Sequence, residues 1–134
     1  MKNLKFLILF LPLLCFSSDF CKSEFGQKFT KQFNQNLPKN TRNFESLIDF
    51  KCENEKFILT YKLKQGEQIN FDPLNKDQVT AVSQIKQIFL DDLYCYDEIY
   101  APISTFIKEI DEIYLLENNK TYMKISTNKN KCQF

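Results

Sequence analysis

The sequence predicts an α+β domain: an N-terminal helix and a long central helix packed on one face of a mostly antiparallel sheet of about four strands, arranged as two hairpins. Three observations carry this. Phe25, Phe29 and Phe33 recur at steps of four. Apolar and polar residues alternate from Ile48 to Cys52 and again from Phe57 to Leu63. Val79, Val82, Ile85, Ile88, Phe89 and Leu93 recur at steps of three and four.

The chain opens with Lys2 and Lys5, the apolar run Phe6 to Leu11, then Pro12, Leu13, Leu14, Cys15 and Phe16, and Ser17, Ser18 and Asp19. A basic start, an apolar middle and small residues at the exit describe a signal peptide, residues 1–17, cleaved after Ser17. The run is too short for the ~20 residues of a membrane-spanning helix. Lipid attachment at Cys15 is the competing exit; Leu14 immediately before the cysteine departs from the small residues that lipoprotein processing expects. Residues 18–134 are then a single disulfide-stabilised domain, periplasmic or secreted, with no transmembrane segment after cleavage.

Its first element is the aromatic stripe at Phe25, Phe29 and Phe33, an amphipathic helix ending before Pro38. The loop Pro38 to Asn43 follows. Ile48, Phe50 and Cys52 form one strand, Asn54 and Glu55 turn the chain, and Phe57 to Leu63 return it. Gln65 to Asn75, holding Gly66 and Pro73, reads as a loop. Asn75 and Gln78 mark the start of the long helix, which ends near Cys95. Ile103, Phe106, Ile107 and Ile110 after Pro102 suggest another turn or two of helix. Ile113 to Glu117 and Tyr122 to Ser126 form the second hairpin around Asn118 and Asn119, asparagine tolerating the positive φ of a tight turn. Asn119-Lys120-Thr121 also fits the N-glycosylation acceptor pattern, of consequence only in a eukaryotic secretory pathway.

Composition narrows the function. Of 134 residues none is His and only two are Gly. That removes imidazole bases, Gly-rich phosphate cradles and most zinc or haem ligand sets. Cleavage takes Lys2 and Lys5 from 18 basic residues, leaving 16 against 17 acidic ones. A nearly neutral chain without a basic, aromatic-interleaved stripe does not suit nucleic acid. No spacing matches a calcium loop, no Gly-x-Ser-x-Gly occurs, and adjacent carboxylates such as Asp111 and Glu112 lack a glycosidase signature. The expectation is therefore no enzyme, no cofactor and no metal.

The mature chain keeps Cys21, Cys52, Cys95 and Cys132. An even number behind a signal peptide, with no Cys-x-x-Cys, reads as structural disulfides of an oxidising compartment. Three pairings exist and the residues do not choose among them; Cys21 with Cys52 and Cys95 with Cys132 is the one favoured here. Charge is uneven: Gln65 to Glu117 holds three basic and eleven acidic residues. Asp91, Asp92, Asp97 and Glu98 could form an acidic patch facing a basic partner, with an ordinary solvated surface as the plainer reading.

Leu37-Pro38, the strand Phe57 to Leu63 with Tyr61, a helix ending in Cys95, and Thr121 to Ile125 before Cys132 resemble a group of uncharacterised small exported, periplasmic bacterial proteins. In these one cysteine ends a helix and another follows the last strand. The likeness covers residues 37–132. This chain departs in having Asn118-Asn119 where a Gly-containing turn is usual, and in the added pair Cys21 and Cys52. The resemblance implies the fold and a Cys95–Cys132 bridge, and no activity. The functional expectation is a non-enzymatic protein-binding domain of the bacterial envelope, whose partner is another envelope or secreted protein. An immunity protein or an inhibitor of a cell-wall-degrading enzyme or toxin is the alternative.

Overall fold

A computed structural model of the chain describes residues 19–66, 69–98 and 101–132. The expected signal peptide and Cys15 lie outside the described residues. The order of elements is a 3-10 turn Phe20–Lys22, α1 Glu24–Gln35, β1 Lys39–Arg42, β2 Glu45–Glu53, β3 Lys56–Leu63, α2 Lys76–Tyr96, a 3-10 turn Ala101–Thr105, β4 Glu109–Leu115, β5 Thr121–Asn128 and a 3-10 turn Lys129–Lys131. The five strands form one sheet in sequence order. All neighbours are antiparallel except β3 and β4, which run parallel and are joined across α2. The class is α+β, as expected, with five strands rather than about four.

The extra strand is β1, inside the expected loop Pro38 to Asn43. All four of its residues are exposed, so it carries no alternation; it exists because β2 offers it a backbone partner, in register Lys39 to Leu47. Lys39 and Arg42 suit an open edge, where charge discourages further strand pairing.

The hairpin turns use the expected residues. Asn54, Glu55 and Asn119 have φ of 53°, 62° and 68°. The long helix begins where its cap predicts, the Asn75 side chain accepting from the Gln78 N–H at 3.1 Å. The helix expected after Pro102 is a single 3-10 turn, and Ile110 instead belongs to β4. A bulge between Leu47 and Asp49 breaks the alternation of β2, so Leu47 and Phe50 are buried together while Ile48 is not.

Both helices lie on one face of the sheet. Phe29 and Phe33 of α1 meet Phe50 and Phe57, Phe33 to Phe50 at 4.4 Å between ring centres and Phe29 stacked on Phe57 at 5.7 Å. Asn34 pins α1 to β2: its side-chain amide donates to the Phe50 carbonyl at 2.7 Å, and its oxygen accepts from the Phe50 N–H. The expected loop before α2 is irregular, yet it buries Phe71, because the Gln65 side chain bonds both the N–H and the carbonyl of Phe71. Cys21 is bridged to Cys52 and Cys95 to Cys132. No helix among the described residues is long and apolar enough to cross a membrane.

Candidate functional site: a groove between the two helices

The long helix is turned away from its own apolar stripe. Its sheet-facing side carries polar groups that find partners there. Ser83 reaches the Met123 sulfur at 3.2 Å, Lys86 the Glu45 carboxylate at 2.7 Å, Gln87 the Ser126 carbonyl at 2.8 Å, and Asp91 accepts from the Thr127 hydroxyl at 2.6 Å. Leu90 and Tyr94 complete that side, buried. The stripe read from the sequence is instead half on the surface: Ile85, Ile88 and Phe89 are 56%, 60% and 59% exposed. In α1, Phe25 is 70% exposed although Phe29 and Phe33 pack inward. Neither stripe lies wholly in the core. The sheet face beneath α2 is partly polar, and the helix that matches it keeps Val79, Val82, Leu90 and Tyr94 inward and leaves Ile85, Ile88 and Phe89 outward.

Between the helices β3 and β4 present the buried residues Phe57, Tyr61, Ile110, Glu112 and Tyr114. α1 rests on β2, and α2 rests on β5 while its Lys86 reaches Glu45 of β2. Four adjoining depressions of about 240 to 390 Å³ each line up as a groove along this face: the first is lined by α1 without α2, the second by both helices, and the third and fourth by α2 without α1. The first, walled by Phe20, Phe25 and Phe106, shares Phe29 and Phe57 with the second. The second shares Tyr61, Leu93 and Glu112 with the third, and the third shares Arg42, Lys86 and Phe89 with the last, which reaches Phe44 and Phe71. The groove thus follows β3 from Phe57 past Tyr61.

Its middle is polar and deeply placed. Tyr61 and Tyr114, opposite each other on β3 and β4, stack at 4.8 Å and 9°. Their hydroxyls donate to the two oxygens of Glu112, each at 3.0 Å. Beside them Lys86 pairs with Glu45, and Arg42 Nε lies 3.7 Å from the same carboxylate. Glu45 and Glu112 are both buried. Among the described residues no group of three or more carboxylates or thiols converges as a metal site would require.

Burial pushes the Glu112 carboxyl above the usual carboxylate range and repulsion from Glu45 adds to it, while the Tyr114 and Tyr61 hydrogen bonds and the Lys86 ammonium oppose. A carboxyl raised on folding binds more protons in the native state. Its charge then costs stability at neutral pH, and that stability is recovered as pH falls through the raised value toward the unfolded ~4.3. The unfolding free energy of the wild type relative to Glu112→Gln is therefore expected to rise between pH 7.5 and 5, measured by urea titration. A flat or falling difference would refute burial as the dominant influence.

The acidic residues singled out in the sequence, at the C-terminal end of α2, differ in exposure and in partners. Asp91 is half-buried and committed to Thr127 and Gln87; Asp92 and Glu98 are exposed; Asp97 is half-buried and caps α2, its N–H on the Asp92 carbonyl. Asp111 and Glu112, neighbours in β4, point to opposite faces. Asp111 accepts from Ser126, and Glu112 enters the groove. Glu45, Lys86 and Tyr114 escaped the sequence reading, which named Glu112 only as a carboxylate beside Asp111 and Tyr61 only as a strand residue. The available signal was strand parity, since Glu112 aligns with Leu59 and Tyr114 with Tyr61, but that needs the β3–β4 register.

No protein-family model matches the chain, and no curated protein matches its sequence. Its fold is similar to that of PA3611, a candidate secreted protein of Pseudomonas aeruginosa, with TM-score 0.65 and 12% identity, covering 87% of this chain and 97% of that one. It is similar also to EpsS, the pilotin of the Vibrio vulnificus type 2 secretion system, with TM-score 0.54 and 10% identity, covering 80% of this chain and 87% of that one. At such identities the likeness is one of fold alone.

Proposed function

We propose that this protein is a small exported, non-enzymatic binding domain of the bacterial envelope that holds a segment of another envelope or secreted protein in the groove between α1 and α2. The observation that carries the reading is the orientation of α2. A helix that turns Ser83, Lys86, Gln87 and Asp91 inward and leaves Ile85, Ile88 and Phe89 in solvent presents an apolar surface larger than stability alone accounts for. Two disulfides suit an oxidising compartment outside the cytoplasm. The pilotin of a type 2 secretion system shares the fold, which fits a role beside envelope machinery.

The test is crosslinking and co-purification from the native envelope, with the wild type and with Ile85→Glu/Phe89→Glu, whose changes lie on the exposed side of α2. A partner held by the wild type should be lost, at least tenfold in recovery, from the groove variant and kept by Asp92→Lys/Glu98→Lys. The reverse pattern would move the binding surface to the acidic end of α2. A cell-wall hydrolase or toxin as the partner would identify the role as inhibition.

A further inference from the structure

We infer, on the reading that the groove holds a partner segment, that the occupant presents apolar side chains to both ends of the groove and one lysine or arginine to its centre, where the cation docks against Glu112. The ends are apolar. One is walled by Phe20, Phe25 and Phe106, the other by Ile85, Phe89 and Phe71, and Phe25 and Phe106 are 70% and 57% exposed. The eight residues of β3 beneath them span about 23 Å at ~3.3 Å per residue, too long for one small ligand to reach both ends.

The centre is asymmetric in charge. Glu45 and Lys86 neutralise each other at 2.7 Å, and the exposed Arg42 already leans on Glu45. No salt bridge joins Glu112 to a cation among the described residues, and Lys86, whose charge acts on it, is itself bonded to Glu45; the two oxygens of Glu112 each accept one tyrosine hydroxyl. A carboxylate offers about four acceptor positions, so capacity remains for a further donor. An arriving ammonium or guanidinium would meet that charge in a dry setting, where such pairs are strongest. An acidic residue would face both Glu45 and Glu112, and a purely apolar one would cover a charge without compensating it.

The experiment is selection of a random 16-residue peptide library against the exported, oxidised protein, followed by affinity measurement on the best synthetic peptide. Enriched sequences should carry one Lys or Arg flanked by apolar residues on both sides. Acetylating that lysine, which removes its charge, should weaken binding at least tenfold to the wild type and less than twofold to Glu112→Gln. If Glu112→Gln does not fold, the acetyl-lysine comparison on the unaltered protein still decides. Enriched peptides without a basic residue, or an acetylation effect under twofold on the wild type, would overturn the cation docking. The groove reading would survive that result if Ile85→Glu/Phe89→Glu still abolished binding. Peptides that bind the groove variant unimpaired, or no enrichment at all, would overturn the groove reading and this inference with it.

Discussion

Replacing Cys95 and Cys132 together by serine is expected to lower the unfolding free energy by about 4 kcal/mol, the chain-entropy value for a loop of 37 residues. The bridge joins the last turn of α2 to the chain just past β5, so it fastens the long helix at the end opposite its Asn75 cap. Cys95 is buried beside Tyr94, which is fully enclosed and donates to the Ile107 carbonyl at 2.7 Å. Those contacts survive the serine exchange, so the domain should still fold, with a lower urea midpoint. Hydrogen exchange should quicken most from Leu90 to Tyr96. A loss below about 1 kcal/mol would mean that packing of α2 on β5 already confines the two ends in the unfolded ensemble.

Phe50→Ala is expected to cost about 3–5 kcal/mol, the range for emptying a buried phenylalanine site. Phe50 is 2% exposed and touches Phe29 and Phe33 of α1 and Phe57 of β3. It is the ring against which α1 docks, and the Asn34 amide bonds sit on its own backbone. The loss should therefore loosen one wall of the groove as well as the core. Leu63→Ala removes an equally buried side chain away from α1 and serves as the control. At a temperature where both variants remain folded, Phe50→Ala should weaken groove binding and Leu63→Ala should leave it within twofold. Equal effects on binding would show that general destabilisation, not the seating of α1, governs the groove.

Much of the fold was legible because it rests on local chemistry. The step of four in Phe25, Phe29 and Phe33, the alternation from Phe57 to Leu63, the cap at Asn75 and the turn residues Asn54 and Asn119 are each visible within a few neighbours. The parts misplaced or left unread are those whose cause lies elsewhere in the chain. Lys39–Arg42 is a strand only because β2 pairs with it. Phe71 is buried only because Gln65 and Tyr122 hold the loop in. Ile110 follows Phe57 into the sheet rather than continuing a helical pattern.

The candidate site was less legible still, for a related reason. Hydrophobic periodicity identifies a helix and its apolar stripe but not which way the stripe faces, and the tendency of apolar sides to turn inward pointed Ile85 and Phe89 to the core. What turned α2 was the sheet face it met, with Glu45, Ser126 and Thr127 supplying partners for Lys86, Gln87 and Asp91. By itself the sequence determined the α+β class, the two hairpins, the two helices and the four cysteines of residues 18–134, since backbone preference and side-chain period act over short spans. The groove, its exposed aromatic walls and the buried Glu112 held by two stacked tyrosines were decided only by tertiary structure. They depend on the parallel register of β3 with β4 and on how a helix rotates over a partly polar sheet, which no local window contains.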